Sequence, residues 1–149
     1  MDTTDQNTNQ VMIFLSYLSD HSVEAELLQF AYETLLNDVK AKVWTYERDQ
    51  AKDEKAIAES LKARVKTSRA LVALITPSTL EKGATQWMEL AYADAFNVPF
   101  NVPTFVLLHH LSYQELKARE TGVPPLLLAV QCNTSDEWRK IAEDLRKCC

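Results

Sequence analysis

Apolar residues come in short bursts in this chain: residues 11–17, 41–46, 69–76, 104–109 and 126–132 are each nearly continuous runs rich in Val, Leu, Ile, Ala and aromatic residues. A run of this length without polar alternation suits a strand covered on both faces, because every side chain meets another layer whichever way the pleat turns it. The stretches between the runs are long enough for helices and too long for hairpins. Strands that alternate with helices pair in parallel through right-handed crossovers, which lay helices on both faces of the sheet. The expected fold class is α/β: a flavodoxin-like three-layer sandwich on a five-stranded parallel sheet, order 2-1-3-4-5.

The intervening segments carry helix signals. After the first run, Asp20 or Ser22 can cap a helix in which Leu27, Leu28, Ala31 and Leu35 share one face. A polar stretch over 47–55 leads to a helix with Ile57, Leu61 and Val65 inward and Glu59, Lys62 and Lys66 outward. Ser78 and Glu81 have capping-box spacing and Gly83 suits a helix end, so a single helical turn is expected before a helix bearing Trp87, Leu90, Ala91 and Ala95. Ser112 and Glu115 form a second such box. Pro124 and Pro125 break the chain, and Thr134 with Glu137 caps a last helix with Trp138, Ile141, Ala142 and Leu145 inward.

A length of 149 residues allows one ordinary domain. Residues 1–10, rich in Asp, Thr, Asn and Gln, read as a disordered lead, leaving 11–149 as the domain. A net charge of -5 and no basic stripe argue against a nucleic-acid partner. No apolar run approaches the ~20 residues of a membrane span, and the acidic opening lacks the pattern of a signal peptide, so a cytoplasmic location is expected. Cys132, Cys148 and Cys149 have neither the pairing of a disulfide framework nor the spacing of a zinc site. The His109, His110 doublet is discounted as a metal site because neighbours on a strand point to opposite faces. Two glycines leave no room for a phosphate-cradling loop, and Ser16 has no nucleophile elbow around it. No metal and no bound cofactor is expected.

In an open parallel sheet, ligands collect outside the carboxyl ends of the strands, where the strand order reverses. Function is therefore sought after Tyr17, Tyr46, Thr76 and His109. The loops there hold Ser16 and Tyr17, then Tyr46 and Arg48, then Ser78 followed by Trp87 and Glu89 at the start of a helix.

These segments resemble the TIR (Toll/interleukin receptor) domain. Phe14, Leu15, Ser16 and Tyr17 are similar to its first-strand box, residues 57–68 to its second helix, and residues 74–78 to its third strand and exit. Ser78, Trp87 and Glu89 fall where NAD-degrading members carry Ser, then Trp, then Glu-Leu. Here Trp87 stands nearer the Glu than is usual, and the loop after the second strand lacks the usual Pro-Gly pair.

The resemblance implies an enzyme that cleaves the nicotinamide–ribose bond of NAD, which is substrate and not cofactor. Glu89 would be the catalytic carboxylate, and Phe14, Ser16, Tyr17, Tyr46, Arg48, Ser78 and Trp87 would contact substrate. The chain is similar in this to the small bacterial TIR proteins of anti-phage defence. That type implies a linear, cyclic or conjugated ADP-ribose product, a downstream effector that senses it, and self-association or pairing with other TIR domains. Local sequence alone favours Glu89 as a first-turn acid placed by the helix dipole, and only the resemblance and its position at the ligand edge reverse that; Trp87 reads equally as a packing residue and Arg48 as part of a solvated loop. Two other functions stay open. One is a non-catalytic TIR scaffold that associates through residues 47–55. The other is a nucleoside deoxyribosyltransferase-like enzyme, suggested by residues 89–94 in a flavodoxin-like frame.

Overall fold

A computed structural model describes residues 11–18, 21–45, 64–65, 67–82, 102–118 and 131–149. Five strands, β1 (Val11–Ser16), β2 (Ala41–Thr45), β3 (Ala70–Ile75), β4 (Thr104–Leu108) and β5 (Gln131–Thr134), form one sheet in the order β2-β1-β3-β4-β5. Every pairing is parallel, with Leu15 opposite Thr45, Ser16 opposite Ala73, and Ile75 opposite Leu108. This is the flavodoxin-like order expected from the alternation of runs. The described part of the fifth strand, Gln131–Thr134, runs beyond the expected end at Cys132; residues 126–130 lie outside the described residues.

Alternate side chains of each strand feed opposite cores, as the two-residue period of a strand demands. Ile13 and Leu15 of β1, Val72 and Leu74 of β3, and Leu107 of β4 pack with α1 (Ser22–Leu35) and α4 (Trp138–Lys147). Their neighbours Phe14, Leu71, Ala73, Ile75, Val106 and Leu108 face the other way. They meet Val65, Leu80 of α2 (Pro77–Lys82) and Leu116 of α3 (Tyr113–Ala118). Ile13, Leu71, Ile75 and Leu107 are each 0% exposed, and full burial of such a side chain contributes about 1.5–3 kcal/mol.

α1 turns a different face to the sheet from the expected one. Leu28 is buried and Leu35 half-buried, but Leu27 is 66% exposed, and the inward positions are Ala25, Leu28, Gln29 and Tyr32. The reason lies in the polar tips of two residues that apolarity alone assigns to solvent. The Tyr32 hydroxyl donates to the Trp138 carbonyl at 2.9 Å while its ring meets Trp138 edge-on, 5.7 Å between centroids. Gln29 Nε2 donates to the Val43 carbonyl at 2.7 Å, and the Val43 N–H donates to Glu33 Oε2 at 2.9 Å. β2 is an edge strand, and these two side chains occupy the backbone groups that would otherwise be open to a foreign strand. Burial of Tyr32 holds its hydroxyl ionisation well above the ordinary 10.0, so the neutral, hydrogen-bonded form persists through the physiological range.

Helix starts follow side-chain chemistry with two departures. His21 precedes the first helical residue, Ser22, and makes no capping bond to the backbone; Asp20 lies outside the described residues. After β3 the helix begins at Pro77, which puts Ser78 inside it, and the reciprocal cap is formed by Thr76 and Thr79. The Thr76 N–H donates to Thr79 Oγ1 at 3.1 Å, the Thr79 N–H donates to Thr76 Oγ1 at 3.3 Å, and Pro77 takes the first helical position, where its missing N–H costs nothing. The two later boxes form as the spacing predicts. Ser112 and Glu115 exchange bonds at 3.1 Å, and Thr134 with Glu137 opens a 3-10 turn, Ser135–Glu137, that runs into α4. Along α4, Ile141, Ala142 and Leu145 are buried and Trp138 is half-buried.

Candidate functional site

Parallel pairing places all the strand exits at one edge, and the reversal of order lies between β1, which leads back to β2, and β3, which leads on to β4. The exits at this point carry the described candidates. Ser16 ends β1 and is 1% exposed; Tyr17 follows it, half-buried against the core that holds Ile13 and Leu15. Across the adjacent exit, Thr76 and Thr79 are buried and bonded to each other, Oγ1 to Oγ1 3.2 Å, which fixes the turn that presents half-buried Ser78. Ser16, Tyr17 and Ser78 thus stand on neighbouring strand exits.

Phe14 is placed differently. Its ring is 0% exposed and packs on Trp44 with centroids 4.8 Å apart, so it supports the floor of the edge and offers no open face for stacking. The Arg64 guanidinium lies over the same indole, 5.6 Å from its centroid, and the buried Trp44 Nε1 has no hydrogen-bond partner among the described residues. Tyr46, Arg48, Trp87 and Glu89 lie outside the described residues.

A second group of polar side chains gathers at this edge, and sequence reasoning missed it. His21 Nδ1 lies 2.7 Å from Glu24 Oε2, and His109 Nε2 is 3.7 Å from the same oxygen. The other ring nitrogen of His109, Nδ1, is 2.8 Å from Ser135 Oγ. His109 and His110 are not on a strand facing opposite ways. They follow β4, with His110 at φ 56 and the two rings 4.0 Å apart, so the reason for discounting the doublet fails while its partners prove to be His21, Glu24 and Ser135. The spacing of His21 and Glu24 at the start of α1 was readable, whereas the approach of His109 joins segments remote in sequence.

The electrostatics follow from these contacts. The bond from His21 holds the Glu24 carboxyl below its ordinary value. Desolvation, with His110 beside it, holds His109 below its ordinary value, and Glu24 partly opposes that shift. Among the described residues, no group of three or more His, Cys, Asp and Glu is arranged to hold a metal ion. Burial raises the three thiols, Cys132, Cys148 and Cys149, above their ordinary value, which favours the protonated form, and the last two donate to the Asp144 and Leu145 carbonyls at 3.3 and 3.2 Å. No described helix is long and apolar enough to cross a membrane.

No protein-family model and no curated protein matches the sequence. Solved structures do. The chain is similar to the 2-desoxiribosyltransferase from Leishmania mexicana, at 15% identity and a TM-score of 0.58, covering 89% of this chain and 97% of that one. It is similar to the IL-17 receptor B SEFIR domain at 12% identity and a TM-score of 0.57, covering 94% and 97%. It is also similar to the TIR domains of the activated Roq1 resistosome that recognises the pathogen effector XopQ, at 11% identity and a TM-score of 0.59, covering 93% and 80%. At these identities the likeness is one of fold: the chain has a TIR-like, flavodoxin-like α/β fold.

Proposed function

We propose that this chain is a TIR-type enzyme that cleaves the nicotinamide–ribose bond of NAD, releasing a linear, cyclic or conjugated ADP-ribose. The observation that carries the reading is the TIR-like sheet, whose order reversal brings the Ser16, Tyr17 exit beside the Thr76 to Ser78 exit. The sequence then supplies Trp87 and Glu89 shortly after α2, in the segment that resembles the catalytic one of NAD-degrading TIR domains.

The chemistry asks little of the protein beyond charge and position. Nicotinamide in NAD is already a cationic leaving group, so no proton donor is needed. The transition state is oxocarbenium-like, and the Glu89 carboxylate, hydrogen-bonded to the ribose hydroxyls, stabilises the positive charge as it develops. Arg48 meets the pyrophosphate, Tyr46 or Trp87 stacks on a base, and Ser16, Tyr17 and Ser78 offer polar contacts at the strand exits. Water entering the site gives ADP-ribose; its exclusion lets another nucleophile capture the cation. The product diffuses to an effector, the mode of small antiviral TIR proteins, and self-association completes the site.

The test is nicotinamide release from NAD by the purified chain, followed by chromatography at rising protein concentration. Turnover that Glu89→Gln abolishes supports the reading; no release at any concentration, with wild type and Glu89→Gln indistinguishable, removes it. The likeness to a 2-desoxiribosyltransferase favours one second reading, transfer of deoxyribose between nucleobases, in which Glu89 attacks the sugar. Turnover of deoxynucleosides in place of NAD identifies it. Loss of concentration-dependent association on mutation of residues 47–55, with neither turnover, identifies a scaffold.

A further inference from the structure

Five side chains from three segments meet at the carboxyl edge, and the reaction above uses none of them. His21 and Glu24 lie at the start of α1, His109 and His110 follow β4, and Ser135 follows β5. Ser135 Oγ is 2.8 Å from His109 Nδ1, a full hydrogen bond, and the other ring nitrogen, Nε2, faces Glu24 Oε2 at 3.7 Å. Hydroxyl, imidazole and carboxylate thus stand in line. The cap ahead of α4 does not account for Ser135, because Thr134 and Glu137 make it. The Ser135 hydroxyl is spare, and its bond goes to an imidazole.

The hydrogen-bond directions agree with one another. When Ser135 donates its proton to Nδ1, the neutral imidazole carries its own on Nε2, the nitrogen that faces the carboxylate. Glu24 is held in place by His21, whose Nδ1 lies 2.7 Å from the same Oε2. The imidazole is held by His110, whose ring packs on it with centroids 4.0 Å apart, at a φ of 56 that non-glycine residues enter rarely. Ser135 and His109 are half-buried and not sealed, and His110 and Asp136 are exposed, so a small molecule in solution can reach the pair. Desolvation, with His110 beside it, keeps His109 below its ordinary value although Glu24 opposes this, which favours the uncharged base.

We propose that Ser135, His109 and Glu24 form a second reactive site on this chain, a serine nucleophile with its base and a positioning carboxylate, which takes acyl groups from small neutral or cationic esters. Ser135 Oγ attacks the ester carbonyl carbon, and its proton passes to His109 Nδ1. Collapse of the tetrahedral intermediate breaks the bond to the alcohol, which leaves with that proton, and the acyl group stays on Oγ. Water then attacks the acyl carbon and gives a proton to Nδ1; the carboxylic acid departs as that proton returns to Ser135 Oγ. Glu24 touches neither ester nor Oγ. It attracts the imidazolium that exists between the two proton transfers and keeps Nε2 turned toward it. The Glu24 carboxylate, with exposed Asp136 next to Ser135 in the chain, repels an anionic acyl group, which sets the charge of the substrate.

Two reactions of the full chain test the site: labelling by a fluorophosphonate, which esterifies serines activated by a base, and hydrolysis of p-nitrophenyl acetate. The expected result is an adduct located on Ser135 by peptide mass spectrometry, and ester turnover that the adduct abolishes. His109→Gln, which can still bond the hydroxyl but cannot take its proton, slows labelling by about 100-fold or more, and Ser135→Ala removes it. Glu24→Gln moves the acid limb of the labelling rate to lower pH, because the carboxylate favours the charged imidazole. A merely structural Glu24 would leave that midpoint where it is, and an unmoved midpoint overturns the part given to it. An unlabelled wild type overturns the whole proposal, as does an adduct found only on other residues, or labelling equally fast in His109→Gln. The position of the wild-type adduct decides the matter even where a variant fails to fold, and none of these readouts depends on NAD turnover.

Discussion

The body of the sheet and its carboxyl edge are built from the same strands by opposite means. In the body, Ile13, Leu71, Ile75 and Leu107 are excluded from water and held by shape and area alone. A few residues further along the same strands, the exits are held by directed bonds: Thr76 to Thr79, Ser112 to Glu115, Thr134 to Glu137, His109 to Ser135. The difference teaches where change is tolerated. An apolar position accepts any side chain of similar volume, while a directed bond accepts only a partner with the right atom in the right place.

The largest test of that contrast is Leu107→Ala, which leaves a cavity under α1 and α4 and should cost about 2–5 kcal/mol in denaturant unfolding. A cost as small as that of an edge substitution would break the distinction. Tyr32→Phe comes next and sharpens it, because a directed bond lies within the body: the Trp138 carbonyl loses its donor, and a cost of about 1–3 kcal/mol is expected with little change of volume. The same substitution removes the alkaline instability of this residue. The raised hydroxyl contributes stability that is complete below the ordinary 10.0 and is lost as pH rises above it, so thermal midpoints of wild type and variant should converge in strong alkali. Smallest is Thr134→Ala at the edge, which breaks the cap ahead of α4 and should cost about 0.5–2 kcal/mol by thermal unfolding while leaving the body intact.

The strands were legible because a doubly covered strand needs nothing but apolar residues, and the caps at Ser112 and Thr134 were legible because their partners lie three residues on. The face of α1 was misread at Leu27 because Gln29 and Tyr32 go inward only when Val43 and Trp138 are there to receive their polar ends. The cap after β3 was read at Ser78 but falls at Thr76, for a related reason. Threonine at both ends of the turn bonds as well as the Ser and Glu pair, and Pro77 favours the first helical position. For the site, the sequence singled out the strand exits at Ser16, Tyr17 and Ser78, but it also counted Phe14 as a ligand contact, whereas its ring lies under Trp44.

By itself the sequence determined that apolar runs and amphipathic stretches would alternate, and hence that the sheet would be parallel, in order 2-1-3-4-5, with its exits gathered at one edge. Local periodicity and chain handedness suffice for that. Only the tertiary structure decided that His21, Glu24, His109 and Ser135 would share that edge, because hydrogen bonds depend on distances of a few ångströms between segments that the chain order keeps far apart.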